Sequence, residues 1–297
     1  MRSFSALQTE LTINLKMKLK YILPILLITL FASCDSDDNE IVVPVSETEN
    51  LLKAQELSNT NHTVEVYTKS GAFYTGYNDV SIRIKKNADD TYFETYSIDW
   101  MPMMDMGTMN HSCPKSSITK VVGKSTLYNG NLIYQMTGMD GSGWSLKFMY
   151  TIDEVDYMVE EEITVLQSSR QNVTTFIGSN SVKYIAAIIE PRTPIIAIND
   201  LKVGLYKMES MMMFPSVADY TIALDPRMPS MGNHSSPNNT DLTYNVLDQM
   251  YHGNLSLTMT GYWVLNLKLM DADNTLLKGE DVTDVNQQSS LYLELEF

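Results

Sequence analysis

Short runs of alternating, β-branched or aromatic residues recur along the chain, with glycine, asparagine and aspartate between them. This pattern predicts β-strands. In the first half the runs cover residues 63–67, 80–85, 92–98, 132–136 and 144–150. In the second half they cover residues 182–189, 201–208, 220–224, 255–259, 263–270 and 291–297. Only residues 47–57 have the spacing of an amphipathic helix, so the pattern predicts an all-β chain.

The two halves of the chain are related by an internal repeat. Met-Thr-Gly occurs at residues 136–138 and again at 259–261, and the same offset of 123 residues relates His111 to His234. About seven short strands in each repeat are typical of an immunoglobulin-like antiparallel sandwich.

The repeat sets the expected domain organisation. We expect two tandem immunoglobulin-like β-sandwich domains, the first at residues 61–166 and the second at residues 182–297. Residues 167–181 between them are polar and form either a linker or an extra hairpin.

The N-terminus has the features of an export signal. A basic stretch at residues 17–20 and an apolar stretch at residues 21–31, too short to span a bilayer comfortably, lead to Cys34. The Ala-Ser-Cys sequence that ends there resembles a bacterial lipobox. The resemblance implies a lipoprotein signal peptide at residues 1–33 and a lipid on the Cys34 thiol, and an uncleaved anchor helix is the alternative. Met17 is an alternative start of the chain.

An acidic stretch follows Cys34. Residues 35–40 read Asp-Ser-Asp-Asp-Asn-Glu and resemble the tract that follows the lipidated cysteine in Bacteroidetes lipoproteins exported to the cell surface. Residues 34–60 would then be the lipidated cysteine and an acidic tether. We expect a protein of the bacterial cell envelope, anchored by lipid to the outer membrane and either periplasmic or surface-exposed.

The net charge of the chain limits the kinds of partner that it can bind. Its formal net charge is −15, and removal of residues 1–33, which carry four basic residues and one acidic residue, would take it to −18. An acidic surface repels nucleic acid phosphates and attracts cations. We therefore expect no nucleic acid partner. With Cys34 lipidated, Cys113 alone remains, so no disulfide within the chain is expected.

A motif rich in methionine and histidine occurs once in each repeat. It reads Met-Pro-Met-Met-Asp-Met-Gly-Thr-Met-Asn-His-Ser-Cys-Pro at residues 101–114 and Met-Pro-Ser-Met-Gly-Asn-His-Ser-Ser-Pro at residues 228–237. Thioether and imidazole ligands suit Cu(I) better than most metals. Side chains alternate along an extended chain, so a turn at Gly107 or Gly232 is needed to bring several ligands together. The candidate copper ligands are Met103, Met106, Met109 and His111 in the first repeat and Met228, Met231 and His234 in the second.

The same residues have a structural interpretation. Methionine fills irregular cores well, so each Met-Pro loop is equally a plug at one end of a sandwich. His111 and His234 are either metal ligands or partners in structural hydrogen bonds. Cys113 adds a soft ligand beside the first set, but Ser236 replaces it in the second. The three methionines at residues 211–213 have no counterpart in the first repeat and are expected to be a loop-filling patch.

The order of these motifs resembles a known family. Met-Pro, methionine, histidine and proline, then a glycine turn, Met-Thr-Gly and a tryptophan-led strand resemble the YtkA-like (FixH-like) domain. The resemblance covers about 60 to 70 residues of each repeat, near the length of a small domain. It implies a small β-sandwich of the kind attached to extracytoplasmic proteins of metal handling, in a tandem lipoprotein of the Bacteroidetes type.

Two functions follow from these patterns. The chain has no phosphate-binding glycine loop, nucleophile elbow or His-Glu-x-x-His motif, so we expect no enzyme. The first is metal handling: the chain would be a lipoprotein that binds a soft metal ion, Cu(I), for storage or for transfer to a partner protein. The alternative is a non-enzymatic scaffold, periplasmic or on the cell surface, that binds a protein or glycan.

Overall fold

Hydrogen-bonded strands make up most of the computed structural model, which describes residues 46–138 and 142–297. Within those ranges there is one 3-10 helix, at Pro229–Met231, and no α-helix. The strands of the first half are β1 (Leu52–Ser58), β2 (His62–Thr68), β3 (Phe73–Tyr74), β4 (Gly76–Lys86), β5 (Ser97–Asp105), β6 (Asn110–His111), β7 (Thr119–Lys120), β8 (Tyr128–Tyr134), β9 (Gly143–Ile152), β10 (Val155–Ile163) and β11 (Val165–Leu166). The strands of the second half are β12 (Val173–Ile177), β13 (Lys183–Glu190), β14 (Ile198–Lys207), β15 (Thr221–Met228), β16 (His234–Ser235), β17 (Leu242–Asn245), β18 (Met250–Ser256), β19 (Tyr262–Met270), β20 (Leu276–Lys278) and β21 (Tyr292–Glu296).

Two antiparallel sheets form the first half. One has the strand order β1-β2-β4-β8-β7 and the other β10-β9-β5-β6, so β1 and β10 each lie at a sheet edge. Both sheets contribute to a single buried cluster, in which Val64 and Ile82 come from the first sheet and Trp100 and Phe148 from the second. The short strands β3 and β11 pair in parallel beside them. Buried and partly buried residues alternate along β9, which explains why the sequence pattern identified this strand.

The second half is one hydrogen-bonded sheet of ten strands. Its strand β17 pairs with β18 on one side and with β15 on the other, and so joins two layers that are separate in the first half. Its buried cluster includes Leu201, Trp263 and Leu265. The all-β class with sandwich-like antiparallel sheets, predicted from the strand pattern, is therefore confirmed for the described residues.

Strand register repeats between the halves. β4 pairs with β8 so that Val80 lies opposite Gly130, and β14 pairs with β18 so that Leu201 lies opposite Gly253. The offset inferred from the sequence relates the same two glycines. The two halves therefore use corresponding residues in corresponding strand pairs.

A third buried cluster connects the two halves. Ile133 of β8 packs with Ile185, Ala187 and Ile189 of β13, and Tyr77, Tyr206 and Met250 are among the residues around them. Ser46–Phe297 accordingly forms one compact unit. Part of the polar segment 167–181 is strand β12, which pairs with β13 of the second half.

The helix expected at residues 47–57 is wrong. Residues 47–50 form a turn, and strand β1 follows and pairs with β2. The helix preference of this short segment is small, and pairing with β2 supplies backbone hydrogen bonds along the whole of β1. Tertiary pairing therefore decides the conformation.

Candidate metal centre

A tight hairpin between β5 and β6 carries the first methionine motif. The Met106 amide donates to the carbonyl of Met109 at 3.0 Å, and the Gly107 amide donates to Oδ1 of Asp105 at 2.7 Å. Gly107 has φ of 76°, a left-handed conformation that glycine adopts without steric cost. The expected turn at Gly107 is therefore present, and it holds Met106 and Met109 side by side.

His111 follows this turn and is held in one orientation. Its side chain is 8% exposed, and its ring lies edge-on to Trp144 with centroids 5.5 Å apart. Nδ1 lies 2.8 Å from the carbonyl oxygen of Ser112. A carbonyl oxygen only accepts hydrogen bonds, so in the neutral imidazole Nδ1 carries the proton and Nε2 keeps its lone pair. Histidine ligands of metals are commonly oriented by such a bond from the other ring nitrogen.

Five methionines and His111 line one cavity. Its volume is about 770 Å³, and Phe176, Ile185 and Phe214 form part of its apolar wall. Lys183 and Lys278 also line it. Its soft donors are Met106, Met109, His111, Met136, Met208 and Met211.

The second half supplies two of these methionines. Met208 and Met211 belong to the connection between β14 and β15, and we call residues 208–213 the methionine loop. The Ser112 amide donates to the carbonyl of Met211 at 2.8 Å, so this loop is bonded directly to the first motif. The sequence predicts a loop-filling patch at residues 211–213, and the hydrogen bond from Ser112 fixes the backbone of Met211 beside the first motif.

The candidate ligand Met103 lies away from the cavity lining. It lies on β5 between the buried residues Pro102 and Met104, so its side chain is on the opposite face of the sheet. Its partner across β9 is Ser145. Of the four candidates in the first repeat, the structure brings Met106, Met109 and His111 together.

The candidates of the second repeat are divided between core and solvent. Met228 is 2% exposed. Its Cε packs close to Gly261, 3.4 Å from the point where a side chain at that residue would begin. Met231 in the 3-10 helix is 55% exposed, and His234 is exposed too. Gly232 does form the expected turn, with φ of 64°. The three residues nevertheless do not face one cavity.

Strand pairing also revises how the two motifs correspond. Met104 lies opposite Trp144 on β9 and opposite His111 on β6. Met228 lies opposite His234 on β16. On its other side Met228 directly follows Arg227, which pairs with Val264 of β19. Met228 therefore corresponds to the buried Met104, although the Met-Pro sequence aligns it with Met101.

Other potential ligands offer no alternative centre. Among the described residues there is no group of three or more histidine, cysteine, aspartate or glutamate side chains placed to hold a metal. Cys113 is buried in the first core cluster, and burial raises the pKa of its thiol well above the ordinary value. Ser236, its counterpart in the sequence repeat, is buried as well.

The expected lipidation site, Cys34, and the signal peptide lie outside the described residues. In the part of the chain that the structure covers, no helix is long and apolar enough to cross a membrane.

Comparisons with known proteins do not identify the family. No family model and no curated protein sequence matches the chain. The solved structure of pT26-6p is similar at 8% sequence identity and a TM-score of 0.26, over 82% of this chain and 64% of that one. The chain thus spans less than two thirds of that structure, and so distant a likeness supports no inference about function. The resemblance of each half to the YtkA-like domain stays a prediction.

Proposed function

We propose that this protein is a cell-envelope lipoprotein that binds Cu(I) for storage or transfer. The observation that supports the proposal is that five methionines and one histidine line a single cavity. Such ligands favour soft Cu(I), whereas hard cations require carboxylate or carbonyl oxygens. Among the described residues no carboxylate side chain lines this cavity, so a hard cation would find none of the charged oxygen ligands it prefers there.

The orientation of His111 supports this proposal. Its Nε2 lone pair is available without a change of tautomer, because Nδ1 donates to the Ser112 carbonyl. Trp144 packs edge-on against the ring, so the imidazole loses little freedom when an ion binds.

The methionines at the hairpin tip suit capture and exchange. Met106 is 39% exposed and Met109 is 49% exposed, so an incoming ion meets thioethers that are already accessible. A thioether binds without losing a proton, so binding by the methionine ligands does not depend on pH. Transfer would proceed by ligand exchange, in which a donor of the partner replaces one thioether at a time.

Lipid anchoring at Cys34 is the other part of the proposal. It rests on the lipobox-like sequence and on the acidic residues 35–40 that follow it. An anchor there would hold the acidic chain at a membrane of the envelope, where its charge raises the local concentration of cations.

Cu(I) titration of the purified protein against a chromophoric chelator tests the proposal, with His111→Ala and His234→Ala as matched variants. We expect tight uptake by the wild type, weakening by about 10–100-fold in His111→Ala, and an unchanged affinity in His234→Ala because that residue is exposed and does not line the cavity. Circular dichroism checks that each variant is folded. Absence of competitive uptake by the folded wild type, or equal losses in the two variants, would contradict the proposed site.

A further inference from the structure

We propose that the methionine loop completes the copper site and acts as its exchange arm, with Met208 as a fixed ligand and Met211 as the ligand that a partner displaces. This inference rests on the proposed function. The hairpin supplies three soft donors, Met106, Met109 and His111, and Met136 supplies a fourth from the end of β8. The remaining two come from the second half of the chain, so bound Cu(I) would join segments that lie about 100 residues apart in sequence.

The two loop methionines differ in how firmly the backbone holds them. Met208 directly follows β14 and is partly buried, and its amide donates to the carbonyl of Lys183 at 2.8 Å. Met211 lies at the loop tip and is 43% exposed. Its carbonyl accepts the 2.8 Å bond from the Ser112 amide. Each residue is held by one backbone hydrogen bond of the same length, but Met208 adjoins a strand and is partly buried, whereas Met211 lies in an exposed loop, where local opening costs less free energy.

The cavity provides the space that exchange requires. A volume of about 770 Å³ exceeds that of a bare ion many times over. A thioether from a partner can therefore enter while His111 and Met208 retain the ion. One copper–sulfur bond forms as the bond to Met211 breaks, and the charge and oxidation state of the ion do not change.

The loop itself supplies matched controls. Met212 and Met213 are exposed neighbours of Met211 that do not line the cavity. Replacement of methionine by leucine conserves volume and removes the sulfur. We expect Met208→Leu and Met211→Leu to weaken Cu(I) binding by about tenfold or more, and Met212→Leu and Met213→Leu to leave it unchanged. Met211→Leu should also increase the rate at which a chelator removes the ion.

Hydrogen exchange at the Ser112 amide, followed by NMR, gives an independent measure. Bound Cu(I) should slow this exchange by about tenfold or more in the wild type, because opening of the loop would then break a metal bond as well. The protection should disappear in Met211→Leu.

The outcomes separate this inference from the proposed function. If the wild type binds Cu(I) and His111→Ala weakens binding, but Met211→Leu binds and protects Ser112 as the wild type does, the exchange arm is wrong and the metal site stands. Equal losses in all four leucine variants would also overturn it, since they would report a general effect on the loop. If the folded wild type takes up no Cu(I), both proposals fail.

Discussion

Replacement of Trp144 by alanine is expected to lower the free energy of unfolding by about 3–5 kcal/mol and also to weaken Cu(I) binding. The side chain is fully buried, and its ring contacts Tyr134 and His111. Its Nε1–H donates to the Met136 carbonyl at 2.9 Å. Its loss therefore leaves a large void in the core and removes the support behind His111 and Met136 of the cavity.

Trp263 provides the matched control for this experiment. It is fully buried in the second core, and its Nε1–H donates to the carbonyl of Met259 at 3.1 Å, which repeats the bond from Trp144 to Met136. Trp263→Ala should lose similar stability in urea denaturation, yet the folded variant should bind Cu(I) as the wild type does. Equal affinity of the two folded variants would show that Trp144 does not position the copper site.

Replacement of Glu65 by alanine should cost about 2–3 kcal/mol of unfolding free energy at neutral pH. The carboxylate is only 2% exposed and accepts hydrogen bonds from the hydroxyls of Tyr67 at 2.6 Å and Tyr92 at 2.9 Å. Lys53 Nζ lies 2.8 Å from its other oxygen. Removal of the acceptor leaves the Tyr67 hydroxyl buried without a partner. Urea denaturation at pH 7 measures the loss, and a change below about 0.5 kcal/mol would contradict it.

The contribution of Glu65 should also depend on pH. Burial raises the pKa of this carboxyl, but the hydrogen bonds from Lys53, Tyr67 and Tyr92 outweigh burial and hold the pKa below its ordinary value of 4.5. As the pH falls, the unfolded state therefore binds the proton at a higher pH than the folded state does. The stabilisation from the charged carboxylate is complete above the ordinary pKa, and it is lost as the pH falls through the pKa of the folded state. The stability difference between the wild type and Glu65→Gln should be constant near neutral pH and should change only in this acidic range. A difference that is the same at every pH would be evidence against the charged carboxylate as the cause.

Much of the fold follows from local sequence, because most strands face a core on one side. The alternating pattern identified β9 and β19. The repeat offset identified Gly130 and Gly253 as equivalent residues, and the structure places them at equivalent positions, opposite Val80 and Leu201. Strand β10 was missed because it carries Glu160, Glu161 and Glu162, which resemble a solvated loop. Such an edge strand buries few side chains, so its pattern carries little hydrophobic signal.

The candidate site was harder to predict, because its two parts come from distant segments. The turn at Gly107 followed from the spacing within one motif, and the candidate ligands Met106, Met109 and His111 lie beside it. The contact between Ser112 and the methionine loop depends on how the halves pack through the cluster around Ile133, and no local pattern encodes that arrangement. Residues 211–213 had no counterpart in the repeat, and this departure from the repeat was the signal that could have singled them out.

Histidine placement shows the same limit. His62 has no counterpart in the second half, so the sequence repeat does not predict its place. It is buried, with its ring 4.5 Å from that of Tyr157 and its Nδ1 3.3 Å from the hydroxyl of Tyr150. Both tyrosines lie on the opposite sheet, so only the packing of the two sheets explains the burial.

The acidic edge strand has a consequence for how copies of this protein behave beside one another. β10 ends its sheet and leaves one row of backbone amides and carbonyls without a neighbouring strand, which is the usual starting point for edge-to-edge aggregation. Glu160, Glu161 and Glu162 lie along this edge and are exposed. Glu160 is paired with Lys147, but two copies that approached through this edge would still bring the carboxylates of Glu161 and Glu162 from both copies together, and their mutual repulsion opposes pairing. Even at high local concentration, the molecules should therefore remain separate along this side.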